Sequence, residues 1–370
     1  MTYLETAIEI LKTIESHNFE AYIVGGFVRD YLLNIESNDI DITTSAMPED
    51  IEKMFEKVIP TGIKYEGVTV ILNNYKFEIT TFRKDISYYD HRHPEIRYAS
   101  SLAEDLARRD FTINAMAFDK DLNLIDIYKG KEDLNNKVIR AVGNPSIRFN
   151  EDALRILRGY YFAAKLNFEI DLSTIIGMDE NSEYISSISG ERVTRELVKL
   201  FSQKNQHKGI FYLLNSKTIN YLPSLKNALI KIYNIGRNVP FIEVLCLGFY
   251  LDGKTDRYIL KKSEKKQIDK VLDLIDVEFD SYILFNNQLD DLLIANDIKK
   301  ILNMPYLDDL IDMKNQLVIK KINDLNIKPK DLINAGFKDK EIGEKIKEVL
   351  RLVLDKKINN NKEEILNSLK

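Results

Sequence analysis

The chain has 370 residues, too many for one ordinary core and enough for two to four domains. Its 44% hydrophobic and 30% charged residues are ordinary for a globular protein, and no apolar run approaches the roughly 20 residues that a membrane span needs. A formal net charge of -5 excludes nucleic-acid binding through an overall positive field, so any such grip must rest on local basic patches.

Residues 3–14 place Leu4, Ala7, Ile8, Leu11 and Ile14 at helical spacing; this acidic, periodic start reads as mature structure rather than a signal peptide. Residues 21–24 read as a buried strand ending at Gly25-Gly26. The stretch FVRDYLL resumes helical character, and a strand follows the polar turn over residues 39–43. GVTVILN and YKFEITTF are strand-like runs on either side of the turn signal Asn73-Asn74. Residues 83–100 form a long polar stretch. Ser101 and Glu104 then match a capping box that starts a helix through Leu106, and NLIDIY is a fifth strand candidate before Lys129-Gly130.

After Asn150 the pattern changes. EDALRILRGYYFAAKL, ERVTRELVKLF, KKQIDKVLDLI and EKIKEVLRLVL are helical, with short turns between them. The expected fold class is an α+β head followed by an all-α remainder. The one cysteine, Cys246 in the apolar stretch EVLCLGFY, excludes an intrachain disulfide and fits a reducing cytoplasm. With four histidines beside it, a zinc site is not expected.

Asp39 and Asp41 lie two apart in the expected strand, so both point to one face while Ile40 and Ile42 anchor the other. Adjacent carboxylates repel, and a divalent cation between them relieves the cost. Such a pair suits phosphoryl transfer, in which two ions about 3.5–4 Å apart clamp the attacking and leaving oxygens. Mg2+, which takes a few carboxylates plus substrate phosphates, is the natural ion. A bare D-x-D is more often a solvated strand face. Gly25-Gly26 between a strand and a helix shifts that balance, because glycines let backbone amides approach a phosphate, with Arg29 one turn further on. Asp152 and Arg155, three apart, would share a helix face, which read alone is an ordinary intrahelical ion pair.

In order, GGFVRD followed by DIDITTSAMPED resembles motif A of the class II (bacterial-type) CCA-adding tRNA nucleotidyltransferase and poly(A) polymerase family, within the DNA polymerase beta-like nucleotidyltransferases. DHRHP is similar to its motif C, RRDFTINAMAFD to motif B, EDALRILR to motif D and ISGERV to motif E. The resemblance spans residues 20–200. It implies catalytic Asp39 and Asp41 as metal ligands, with Glu78 in KFEITTF, isolated on its strand face, as the candidate third acid. It implies that Asp110 accepts from the ribose 2′-OH, and that Arg109 and Asn114 hold sugar and phosphate, alongside Gly25, Gly26 and Arg29. Asp152 and Arg155 would read the base as a protein template, supported by Glu151 and Arg158. Asp90, Arg92 and Pro94 would act in the switch from C to A, and Glu191 and Arg192 belong to motif E.

The family includes enzymes that add CCA, CC only or A only to tRNA with CTP and ATP, and poly(A) polymerases. The long segment RKDISYYDHRHPEIRYASS implies full CCA addition, because CC-adding members have it shortened. A catalytically silent RNA-binding homologue is the alternative of another class; intact Asp39, Asp41, Asp110, Asp152 and Arg155 argue against it. One departure is IDIYKG near Asp126, where the family more often has a proline and a double glycine. The expected domains are a head (1–140), a neck (141–205), a body (206–300) and a tRNA-binding tail (301–370). Lys299-Lys300, Lys320-Lys321 and Lys356-Lys357 are candidate phosphate contacts. The sequence leaves the oligomeric state open.

Overall fold

The computed structural model describes residues 1–60, 67–88 and 94–369, so Asp90 and Arg92 of DHRHP lie outside the described residues. Two compact units emerge. One comprises Met1–Phe241 with Thr255–Ile259, the other Ile242–Lys254 with Leu260–Lys370.

The first unit opens on helix α1 (Tyr3–Ser16), which buries Ala7, Ile10, Leu11 and Ile14. Strand β1 (Ala21–Val24) then runs into helix α2 (Gly26–Leu32), and β2 (Asp41–Thr44) pairs antiparallel with β1. Helix α3 (Pro48–Met54) and β3 (Val58–Pro60) lead to the hairpin β4 (Gly67–Leu72) and β5 (Tyr75–Thr81). Its turn is Asn73-Asn74, both at positive φ (51° and 66°), the pair of left-handed residues that a two-residue hairpin loop requires. The sheet runs β3-β4-β5-β2-β1-β8-β9, with β8 (Ala117–Phe118) and β9 (Leu124–Ile125) at its far edge. Among the described residues of this sheet, β2 and β5 alone pair in parallel, placing Asp41 beside Glu78. Val24, Phe82, Leu102, Leu106, Ala115, Ala117 and Val142 pack together as one core cluster of this region.

Several sequence expectations change here. The strand expected over residues 39–43 begins at Asp41 and extends to Thr44. The polar stretch 83–100 contains β6 (Arg83–Tyr88) and β7 (Pro94–Tyr98), a separate antiparallel pair whose polar composition hid it. Helix α4 (Leu102–Ala107) starts at Ser101 without the expected capping box, because Glu104 instead accepts from the Ser100 amide and hydroxyl and from Lys84. Asp126, the departure in IDIYKG, caps α5 (Gly130–Asn136) by accepting from the Gly130 and Lys131 amides at 2.7 and 2.9 Å.

The helical remainder follows with one small exception, a parallel pairing of β10 (Val138–Ile139) with β11 (Glu169–Ile170). EDALRILRGYYFAAKL, read as one helix, is broken. Helix α6 (Pro145–Glu151) ends at Asp152, which has extended dihedrals (φ -146°, ψ 101°), and α7 (Leu154–Leu166) starts afresh beyond it. Helices α8 (Leu172–Glu180) and α9 (Gly190–Phe201) follow. In the second unit, Leu332, Val349, Leu350, Val353 and Ile365 form a core of their own. There Lys299 is 4% exposed, with its ammonium donating to the Val277 carbonyl and lying 4.2 Å from the Phe279 ring centroid, so it is packed inward and is not a surface phosphate contact.

Candidate active site

The site is built around the turn between β1 and α2. Gly25 has φ 77° and ψ -132°, a backbone state that side chains oppose, and a Cβ there would meet the Arg109 guanidinium at 2.9 Å. Glycine is required here for its dihedrals, and it also leaves room for the close approach of Arg109. Asp39 and Asp41 flank buried Ile40, and Ile42 beyond them is buried too, as their alternation requires.

Desolvation, then the neighbouring Asp39 and Glu78 carboxylates, push the Asp41 carboxyl up to about 6, against the pull of Arg109. Glu78 is exposed between buried Phe77 and Ile79, on the same sheet face as Asp41. Among the described residues no three potential ligands converge as a ready-made metal cluster. The residues nonetheless fit a hard divalent cation. The donors are oxygen only, their mutual repulsion is the kind a cation relieves, and Mg2+ habitually takes one or two carboxylates plus substrate phosphates.

A cavity of about 590 Å3 opens in front of the carboxylates. It gathers Gly25, Gly26, Arg29, Asp39, Asp41, Arg109, Asp110, Asn114, Asp152, Arg155, Arg158 and Arg192 from five stretches of sequence. Asp110, 8% exposed, accepts from the Arg158 Nε at 2.6 Å, from the Asn114 amide at 3.0 Å and from the Phe111 N–H at 2.8 Å. Burial alone would raise its carboxyl; Arg158 and these donors outweigh it and hold the group below the usual carboxylate range. Asn114 in turn accepts from Arg29 at 2.6 Å, and Arg29 donates to Asp30 at 2.8 Å. Lys165 completes the run at 3.3 Å from Asp30. The network therefore starts and ends on α7, at Arg158 and Lys165.

Asp152 and Arg155 are arranged differently from the shared helix face read in the sequence. Asp152 sits in the break between α6 and α7, where its carboxylate accepts from the Leu154 amide at 3.0 Å and from Arg192 of α9 at 2.8 Å. Arg155 donates to Glu151 at 2.7 Å and to the Arg148 and Arg108 carbonyls at 3.0 and 2.9 Å. Glu151 also receives Arg148 at 2.6 Å, so it braces the arginines without lining the cavity. Glu191 is solvent-facing, paired with Arg195, and is not among the lining residues.

Residues 21–140 match the family model of the poly A polymerase head domain, residues 167–229 a probable RNA- and SrmB-binding site of polymerase A, and residues 254–369 a putative tRNA nucleotidyltransferase domain 2. The CCA-adding enzyme of Staphylococcus epidermidis is 37% identical over 98% of this chain and 96% of its own length. The chain belongs to the CCA-adding enzyme family. The Staphylococcus haemolyticus CCA-adding enzyme is 35% identical over the same shares, 98% and 96%. The crystal structure of the Bacillus stearothermophilus CCA-adding enzyme in complex with CTP superposes with a TM-score of 0.81 at 28% identity, covering 100% of this chain and 97% of that one.

Sequence reasoning missed Asp30, Tyr161, Phe162, Lys165 and Lys199, which also line the cavity. Tyr161, Phe162 and Lys165 had a readable signal. They lie three, four and seven residues after Arg158, on the same helix face. Lys199 comes from α9 and carried none.

Proposed function

We propose that this chain adds CCA to the 3′ end of tRNA without a nucleic-acid template, taking CTP and ATP and releasing pyrophosphate. The carrying observation is that one cavity joins the Asp39–Asp41 pair to Asp110 and to the Asp152–Arg155–Arg158 group. Phosphoryl transfer and base selection thus share one bound nucleotide.

Asp110 has accepted two hydrogen bonds on one oxygen and one on the other, which leaves acceptor capacity for the ribose 2′-OH. Each Asp152 oxygen has one donor already and can accept from the exocyclic amine of cytosine or adenine. Arg155 supplies a donor to cytosine N3 or adenine N1. Uracil and guanine present an N–H there, so a donor faces a donor, a mismatch that can discriminate strongly in a dry site. Arg29 and Arg109 supply positive charge near the phosphates. Magnesium held by Asp39 and Asp41, with Glu78 as the candidate third acid, would neutralise charge as the tRNA 3′ hydroxyl attacks the α-phosphate.

We assign catalysis to a head over 1–140, nucleotide choice to a neck over 141–205, and the grip on tRNA to a tail over 301–370 that follows a helical body over 206–300. Lone, buried Cys246 agrees with a cytoplasmic setting, and no described helix is long and apolar enough to cross a membrane.

The test supplies tRNA ending before, within and after CC with each labelled nucleotide in turn. Ordered addition of C, C and A followed by a stop is expected. Asp39→Ala and Asp41→Ala should abolish incorporation while the melting temperature stays within a few degrees. A long A tail would instead indicate a poly(A) polymerase, and no incorporation by the intact chain a silent RNA-binding homologue.

A further inference from the structure

Arg29 is the cation that the glycine turn appoints to meet phosphate, and its charge is already paired inside the protein. Nε and Nη2 both lie on Asp30 Oδ1, at 2.8 and 2.7 Å, and Nη1 donates to Asn114 at 2.6 Å. The residue is 3% exposed, and its guanidinium lies 5.2 Å from the Phe162 ring centroid. Arg29 thus lines the cavity from a fixed position, with its charge balanced by Asp30.

Lys165 is built the other way. It sits in the last turn of α7, lines the same cavity and keeps 27% of its side chain accessible. Its ammonium has three donors, and its bonded partner among the described residues is Asp30, which Arg29 already neutralises. The run Arg158–Asp110–Asn114–Arg29–Asp30–Lys165 contains three cations and two acids, so it carries one surplus positive charge at the Lys165 end. With Asp39 and Asp41 committed to a cation, that surplus is left for an anion.

The spacing agrees. Arg155, Arg158, Phe162 and Lys165 follow helical periodicity on one face of α7, and ten residues of helix span roughly 15 Å. That is the scale of an extended nucleoside triphosphate, with its base at the Arg155 end.

We propose that Lys165 binds the β- and γ-phosphates of the incoming nucleotide and the pyrophosphate that leaves. The inference rests on the nucleotide-site reading above and adds a binding residue to it. In the transfer, the tRNA 3′ oxygen gives its proton to water and bonds the α-phosphorus, while the bond from that phosphorus to the bridging oxygen breaks and the bridging oxygen keeps the electron pair. Lys165 stabilises the resulting pyrophosphate charge without exchanging a proton.

The experiment measures binding of CTP, inorganic pyrophosphate with magnesium, and CMP to the full chain and to its Lys165→Met and Lys165→Arg variants. Lys165→Met should weaken CTP and pyrophosphate about tenfold, the loss of one charge-assisted hydrogen bond. CMP binding and the preference for CTP over UTP should be unchanged, and Lys165→Arg should restore most of the loss. If CTP and pyrophosphate bind Lys165→Met as they bind the unmodified chain, or if CMP weakens equally, the inference is overturned. Should the unmodified chain incorporate no nucleotide, the site reading itself fails and takes the inference with it.

Discussion

Asp152 has its partner on another helix, and the consequence is testable at the residue. Arg192, through its 2.8 Å bond, orients the carboxylate proposed to face the base. Arg192→Ala should lower discrimination of CTP and ATP against UTP and GTP about tenfold, the scale of one charge-assisted hydrogen bond, with a smaller effect on folding. Single-nucleotide incorporation with all four triphosphates reads this directly, and unchanged selectivity would remove Arg192 from the selection apparatus. Asp41 gives a second expectation. Its carboxyl stands at about 6 in the metal-free chain, so protons compete with the cation below that pH. Apparent magnesium affinity should hold above pH 7 and fall as pH drops through 6, by up to about tenfold per unit if this one carboxylate dominates. Magnesium titrations at pH 5.5 and 7.5 test it.

At the element scale, helix α5 is fastened to the site by contacts that admit no side chain. A Cβ on Gly130 would lie 2.3 Å from the Thr112 carbonyl and 2.9 Å from Met116. Thr112 begins the short turn carrying Asn114, the residue that joins Asp110 to Arg29. Gly130→Ala should therefore destabilise by about 2 kcal/mol or more through overpacking, and weaken CTP binding with it. Asp126→Ala, which removes only the cap of α5, should cost about 1 kcal/mol. Thermal unfolding of both variants distinguishes clash from cap. The break at Asp152 belongs to the same scale. No glycine or proline marks it, and helical periodicity runs straight through EDALRILR, so local sequence could not reveal it.

For the whole molecule, every cavity-lining residue falls between Gly25 and Lys199, inside the first compact unit. The second unit has its own core. A chain ending after Ile259 should keep CTP affinity within a few-fold of the full chain and lose most turnover on tRNA. Calorimetric CTP binding beside an incorporation assay checks both halves, and retained turnover would mean that the second unit is not needed to hold tRNA. The net charge of -5 bears on the same question. A tail that holds tRNA must do so with the lysines still facing outward, since Lys299 is spent inside its own fold.

Local chemistry determined a good deal of this protein. Gly25 before α2, the Asp39–Asp41 alternation over buried Ile40 and Ile42, the Asn73-Asn74 hairpin and the helical periodicity after Asn150 are all consequences of near neighbours. Their physics acts over a few residues, so a string of letters carries it. Tertiary structure alone decided which groups meet. It set Asp41 beside Glu78 through a parallel pairing, gave Asp152 to Arg192 across forty positions, and closed the run from Arg158 to Lys165 through residues of α2. It also fixed Arg29 at the cavity wall between Asp30 and Asn114. Charges and hydrogen-bond donors are committed by whatever packs against them, and the sequence does not state that packing.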